Sequence, residues 1–184
     1  LIGGYTQHGR DMEALRFYDQ MLIQGVLPNV ATFVCLLNAC FYVGASNQGQ
    51  KMHSMIVGDK LLSSNIVLGN ALIDMYVKFG ILGEAREVFD RLVVQDVVSW
   101  TTLIMGYVHH GHSEEAMCMF KTMKLKGFSP NVVTYACILK ACGSISSLAT
   151  GREIHVNILS EGLAKKVSIG NALVDMYVKS GLLQ

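Results

Sequence analysis

Between residues 97 and 131, Trp100, Leu103, Ile104 and Tyr107 form one apolar stripe before Gly111 interrupts it, and Ala116, Met119, Phe120 and Met123 form a second stripe beyond it. Spacings of three and four residues put such side chains on one face of a helix, so the pattern predicts two helices joined by a Gly-containing turn. Ser113 is expected to cap the second helix, with Glu114 and Glu115 favoured by its positive N-terminal end, and Gly127 and Pro130 to end it. The small Ala116 belongs where the two helices approach closely, and Tyr107 and Phe120 in the wider gaps between them.

The same pattern recurs along the chain. The segment 68–82, Leu-Gly-Asn-Ala-Leu-Ile-Asp-Met-Tyr-Val-Lys-Phe-Gly-Ile-Leu, returns 101 positions later at 169–183 with few changes. Gly4-Tyr5, Glu13-Ala14, Pro28-Asn29-Val30 and Ala39-Cys40 each return 102 positions later. Inside this large unit lies a period of about 31 to 36 residues, marked by Ala14, Ala85 and Ala116 after Gly-containing turns. A hairpin of that size cannot bury its apolar face alone, so neighbouring hairpins must stack into one elongated core. The expected fold is all-α, an α-solenoid of helix-turn-helix repeats.

Composition adds limits. An apolar content of 51% supports a core, and only two prolines argue against the many turns of a sandwich or barrel. Fifteen Lys and Arg against fourteen Asp and Glu leave a net charge of +1, without the bulk basic footprint of nonspecific nucleic-acid binders. Lys121, Lys124 and Lys126, and the pair Lys165 and Lys166, read as solvated faces. The odd set Cys35, Cys40, Cys118, Cys137 and Cys142 reads as core and turn residues of a reducing compartment, not a disulfide framework. No apolar run reaches the roughly 18 residues of a membrane span.

Chemistry-bearing patterns are sparse. His112-Ser-Glu114 matches the His-x-Glu fragment of zinc deaminases but lacks the Pro-Cys-x-x-Cys partner and lies where a helix opens. The cysteine pairs 35/40 and 137/142 have the wrong spacing for a metal knuckle, and His109, His110 and His112 read as surface residues. No phosphate loop or nucleophile elbow is present. Neither metal, cofactor, small-molecule substrate nor enzymatic activity is expected of these residues.

Val97-Val-Ser-Trp-Thr-Thr-Leu-Ile-Met-Gly-Tyr107, followed by Glu115-Ala, Phe120, Met123 and Gly127-Phe-Ser-Pro-Asn131, resembles a standard 35-residue pentatricopeptide repeat. Residues 132–166, with Leu139-Lys-Ala-Cys142 and Gly151-Arg-Glu-Ile-His155, resemble its long variant, and 66–96, with Asn70-Ala-Leu-Ile-Asp-Met-Tyr76, its short one. This alternation resembles the plant PLS subclass. The register implies a partial standard repeat at 1–29, a long repeat at 30–65, a short one at 66–96, a standard one at 97–131, a long one at 132–166 and a partial short one at 167–184. Both ends cut through hairpins, whose apolar surface neighbouring repeats are expected to cover.

The resemblance implies sequence-specific binding of single-stranded RNA, one base per repeat, in an organellar editing or processing factor. In that family the fifth and last residues of a repeat specify the base. Here they are Asn70 with Asp96, implying uracil, and Thr101 with Asn131, implying adenine, so that adjacent repeats favour 5′-UA-3′. Val67, Val98 and Val133 would flank the bases. Val34 with Asn65 and Ala136 with Lys166 depart from the polar pair, and Asn29 and Asn171 belong to incomplete pairs. A side-chain amide can donate or accept, whereas a carboxylate can only accept, from an imino hydrogen of uracil or guanine. Taken alone, Asn70 and Asn171 also read as helix N-caps.

Single-stranded organellar RNA and editing accessory proteins are the implied partners, in mitochondrion or chloroplast, with any deaminase-like domain lying beyond residue 184. Residue 1 is Leu and no leader precedes the first helical pattern, so a targeting segment is expected outside these residues. The same hairpin physics also permits a scaffold for protein–protein interaction, although the tetratricopeptide signature Trp-x-x-Leu-Gly-x-x-Tyr is absent. The polar pair repeated in phase favours the RNA reader.

Overall fold

The computed structural model describes residues 1–58 and 61–182, and the chain falls into two units, Leu1–Gln95 and Asp96–Gln184. Positions 59–60 of the expected long repeat and 183–184 of the last partial repeat lie outside the described residues. Among the described residues there is no strand, and no helix is long and apolar enough to cross a membrane.

The first unit runs through α1 (Ile2–Gln7), α2 (Asp11–Ile23), α3 (Val30–Tyr42), α4 (Ser46–Gly58), the single turn α5 (Leu61–Ser64), α6 (Ile66–Lys78) and α7 (Leu82–Arg91). The first helices α1, α3 and α6 pack side by side, and each leans on the second helix of its own hairpin. Phe33, Leu36, Leu37 and Cys40 of α3 and Leu72, Ile73, Met75 and Tyr76 of α6 fill the core. The last hairpin is shorter, because α7 has 10 residues where α2 and α4 each have 13.

The second unit repeats the plan with α8 (Val97–His109), α9 (Ser113–Leu125), α10 (Val132–Ser144), α11 (Leu148–Ser160), a 3-10 turn at Leu163–Lys165 and α12 (Val167–Lys179). Here α8 packs on α10 and α10 on α12, with α9 and α11 behind their partners. Trp100, Leu103, Ile104, Ala116, Met119, Phe120 and Met123 are all buried, as their spacing predicts. The Phe120 ring meets Tyr135 edge to face at 6.0 Å. Tyr107, expected between the helices, is instead half-buried at the turn with its ring against His112.

The turns inside the hairpins explain a second difference. At the end of α8 the N–H of His112 bonds back to Tyr107 O at 2.8 Å, across Gly111 at φ +84°. This Schellman closure leaves one residue, His112, both to finish one helix and to open the next. Ser113 is therefore already the first residue of α9, buried and without a capping bond, rather than the cap expected of it. The same backward bond recurs from Arg10 to Tyr5 O at 2.9 Å and from Ile81 to Tyr76 O at 2.9 Å.

Cysteine placement also departs from expectation in part. Cys40 and Cys142 are fully buried on helices, and burial pushes both thiols up to about 11. Cys35 and Cys137 are half-buried and Cys118 is exposed, and all five are helical, none in a turn.

Candidate nucleic-acid interface

Pro130 cannot continue a helix, and Asn131 after it is extended, with φ −99° and ψ 179°. Its side-chain Oδ1 accepts from the Thr134 N–H at 2.9 Å and from the Thr134 hydroxyl at 3.1 Å, while the Asn131 N–H donates to Thr134 Oγ1 at 3.2 Å. These bonds form a capping box that starts α10. Because α8 packs on α10, Thr101 of α8 lies opposite, and its hydroxyl oxygen is 2.7 Å from that of Thr134. Thr101 keeps 8% of its surface, whereas Asn131 is exposed, so the amide carries most of the accessible polar surface of this cluster.

Asp96 opens α8 in the same way. Its Oδ1 accepts from the Ser99 N–H at 2.8 Å and from Ser99 Oγ at 3.1 Å, and its own N–H donates to Ser99 Oγ at 2.8 Å. In the first unit Asn29 caps α3, with Oδ1 accepting from both the N–H and the hydroxyl of Thr32 at 2.9 Å. Asn65 caps α6 through the Leu68 N–H at 3.1 Å, and Lys166, ahead of α12, makes no side-chain cap. The expected last residues of the repeats thus stand at helix entries, and all but Lys166 are held by a side-chain bond to the helix they precede.

The fifth residues lie inside first helices. Asn70 is half-buried within α6 and Asn171 exposed within α12, so neither is the N-cap that its residue type alone permits. The chain is already helical from Ile66 and from Val167, which leaves the cap position to Asn65 and Lys166. Val34 and Ala136 are half-buried on α3 and α10. Asn70 belongs to the first unit and Asp96 to the second, whereas Thr101 and Asn131 are joined through Thr134 within one unit.

Val67, Val98 and Val133 each occupy the second position of a first helix and are 58%, 55% and 50% exposed. Three valines at one helical position, each about half in solvent, leave apolar surface that the chain's own core does not use. Val98 and Thr101 share a helix face by their spacing of three.

Lys121, Lys124 and Lys126 are exposed on α9 and just beyond it, with Lys124 Nζ 5.8 Å from the Phe120 ring centre and Lys126 Nζ 5.4 Å from that of Trp100. Lys165 and Lys166 are exposed at the approach to α12. His109, His110 and His112 are exposed, and His112 faces Glu115 at 3.5 Å across the first turn of α9, an ordinary surface contact.

Sequence reasoning missed Thr32, Ser99 and Thr134. The available signal was a capping-box spacing, Asn or Asp followed three residues later by Thr or Ser, at 29/32, 96/99 and 131/134.

First helices packed on first helices, each backed by its partner, define a protein of the α-solenoid, helical-repeat class. The PPR repeat family matches residues 1–41 and 95–144, and the PPR repeat matches 70–97. The chain belongs to the pentatricopeptide repeat family. It is 38% identical to the Arabidopsis thaliana pentatricopeptide repeat-containing protein At2g33680 over all of its own length and 25% of that protein. It is 35% identical to the chloroplastic At1g15510 and 36% to the mitochondrial At3g24000 of the same plant, each over 98% of this chain, covering 21% and 28% of those proteins. The chain thus spans about a quarter of the length of these curated relatives. Its fold is also similar to that of the pentatricopeptide repeat protein PPR10 in complex with an 18-nt psaJ RNA element, with a TM-score of 0.77 and 24% identity over 98% of this chain and 27% of that one.

Proposed function

We propose that the chain reads single-stranded RNA one base per repeat, as the specificity part of an organellar RNA-editing or RNA-processing factor of the PLS subclass. The observation that carries this reading is the hydrogen-bonded cluster of Thr101, Thr134 and Asn131, which joins the fifth and last residues of the repeat at 97–131 although they are 30 positions apart. A base edge needs two or three side chains held together at one repeat. Val98 and Val133 supply apolar surface for the base faces on either side. Family membership, the RNA carried by the similar fold of PPR10, and the mitochondrial and chloroplastic relatives support the same reading and an organellar location.

In this reading Asn131 meets the ring nitrogen of adenine, and the repeat at 66–96 selects uracil at the preceding position. Editing accessory proteins, or a deaminase-like domain beyond residue 184, supply the chemistry. The test is equilibrium binding of the whole protein, at constant salt, to RNA oligonucleotides that differ only at the base facing residues 97–131. Tightest binding to adenine is the expected result. Equal affinity for all four bases, or no RNA binding, would instead favour a scaffold for other proteins.

A further inference from the structure

We infer that Thr134 is a positioning residue for base selection. It belongs to the hairpin after the one whose base it tunes, and its hydroxyl orients the Asn131 amide and sets the direction of the Thr101 proton. This inference rests on the reading of Thr101 and Asn131 proposed above.

The proton count leaves one arrangement that satisfies every bond. A threonine hydroxyl has one proton and can accept two bonds. Thr134 Oγ1 faces the Asn131 N–H at 3.2 Å, which can only donate, and Asn131 Oδ1 at 3.1 Å, which can only accept. The Oδ1 assignment is fixed because the same atom receives the Thr134 backbone N–H at 2.9 Å. Thr134 therefore gives its proton to Asn131, and the remaining partner, Thr101 at 2.7 Å, must donate to Thr134.

Two consequences follow for a ligand. Thr101 turns lone pairs outward, and Asn131, with Oδ1 bound twice, turns its Nδ2 hydrogens outward. An N–H donor beside a hydroxyl acceptor complements adenine, whose ring N1 accepts and whose exocyclic amine donates. With Asn131 facing the ring nitrogen, guanine is opposed, because its N1 carries a hydrogen. Without the Thr134 hydroxyl, Oδ1 keeps only its backbone N–H bond and has a lone pair free to accept that hydrogen, which weakens the distinction.

Capping alone does not require the hydroxyl. Asn65 caps α6 through the Leu68 N–H, and Leu68 has no hydroxyl. The third position of the next first helix instead follows the fifth residue of the repeat before it. Polar Asn70 and Thr101 are followed by Ser99 and Thr134, whereas Val34 and Ala136 are followed by Leu68 and Ile169. Both apolar third residues are fully buried. The hydroxyl accompanies a polar fifth residue and is missing where the fifth residue is apolar.

The experiment measures adenine-to-guanine selectivity at the base facing residues 97–131 for the whole protein and its Thr134→Val, Thr134→Ser and Asn131→Asp variants, with melting curves for each. Thr134→Val should lower the selectivity ratio by about five-fold, the effect of one ordinary hydrogen bond. Thr134→Ser should restore it. A purely structural role would weaken binding to both bases equally and leave the ratio unchanged. An unchanged ratio in Thr134→Val, alongside an Asn131→Asp variant that does shift toward guanine, overturns the role of Thr134 and leaves the base-reading pair standing. Absence of any adenine preference in the wild type, or no shift with Asn131→Asp, overturns both. Should Thr134→Val fail to fold, the ratio is read from Thr134→Ala, where a fall of about five-fold upholds the inference and an unchanged ratio overturns it.

Discussion

His53 Nδ1 on α4 lies 2.8 Å from the Tyr76 hydroxyl on α6, and the second unit repeats the contact between His155 on α11 and Tyr177 on α12 at 2.9 Å. In the first unit the pair is partly buried, and His53 Nε2 is buried without a hydrogen-bond partner. Burial lowers the His53 pKa below its ordinary 6.5, with Arg91 lowering it further against the opposing pull of Glu84 and Glu87. Burial also pushes the Tyr76 hydroxyl up to about 12, so this partner stays neutral.

Because the folded pKa of His53 is depressed, its protonation favours the unfolded chain. The stability tied to neutral His53 is present above 6.5 and is lost as pH falls through that value toward the lower folded pKa. Urea unfolding at about pH 7.5 and about pH 5.5 should show a lower midpoint at the acid value, and His53→Gln should shrink that difference. An equal drop in wild type and variant would contradict the assignment.

Phe120 is buried against Tyr135, in the core that joins α9 to α10. Phe120→Ala should cost about 3 to 5 kcal/mol in denaturant unfolding. A loss below about 1 kcal/mol would mean that the site collapses around the gap.

Ser146 has φ 51°, the left-handed conformation that Gly9, Gly44, Gly80 and Gly111 adopt in the other hairpin turns. Its neighbour Ser147 makes the same backward bond, to Cys142 O at 2.9 Å. A side chain in that conformation costs about 1 kcal/mol relative to glycine. Ser146→Gly should raise stability by roughly that amount, read from the denaturation midpoint. A decrease would show that the serine side chain contributes more than the strain removes.

The hairpins were legible because Trp100, Leu103 and Ile104, and then Ala116, Met119, Phe120 and Met123, keep helical spacing on either side of a glycine. Ser113 misled, since the cap preference of a serine says nothing about a turn that has already spent its linking residue on the helix before. Thr101 was legible as a polar residue in an apolar stripe, but its burial against Thr134 was not, because the two are 33 positions apart and meet only when α8 packs on α10. His53 and Tyr76 carried no local signal. Their recurrence at 155 and 177 was visible, yet recurrence alone does not say which two side chains touch.

The central claim is that residue 131 selects the base, and exchanging its amide for a carboxylate tests it most directly. Wild type and Asn131→Asp are compared for binding to RNA oligonucleotides that differ only at the base facing residues 97–131, in the whole protein and at one salt concentration. A donor at the ring nitrogen becomes an acceptor, so the preference should move from adenine toward guanine. A preference that stays with adenine, or an affinity indifferent to the base in both proteins, would contradict base reading by Thr101 and residue 131.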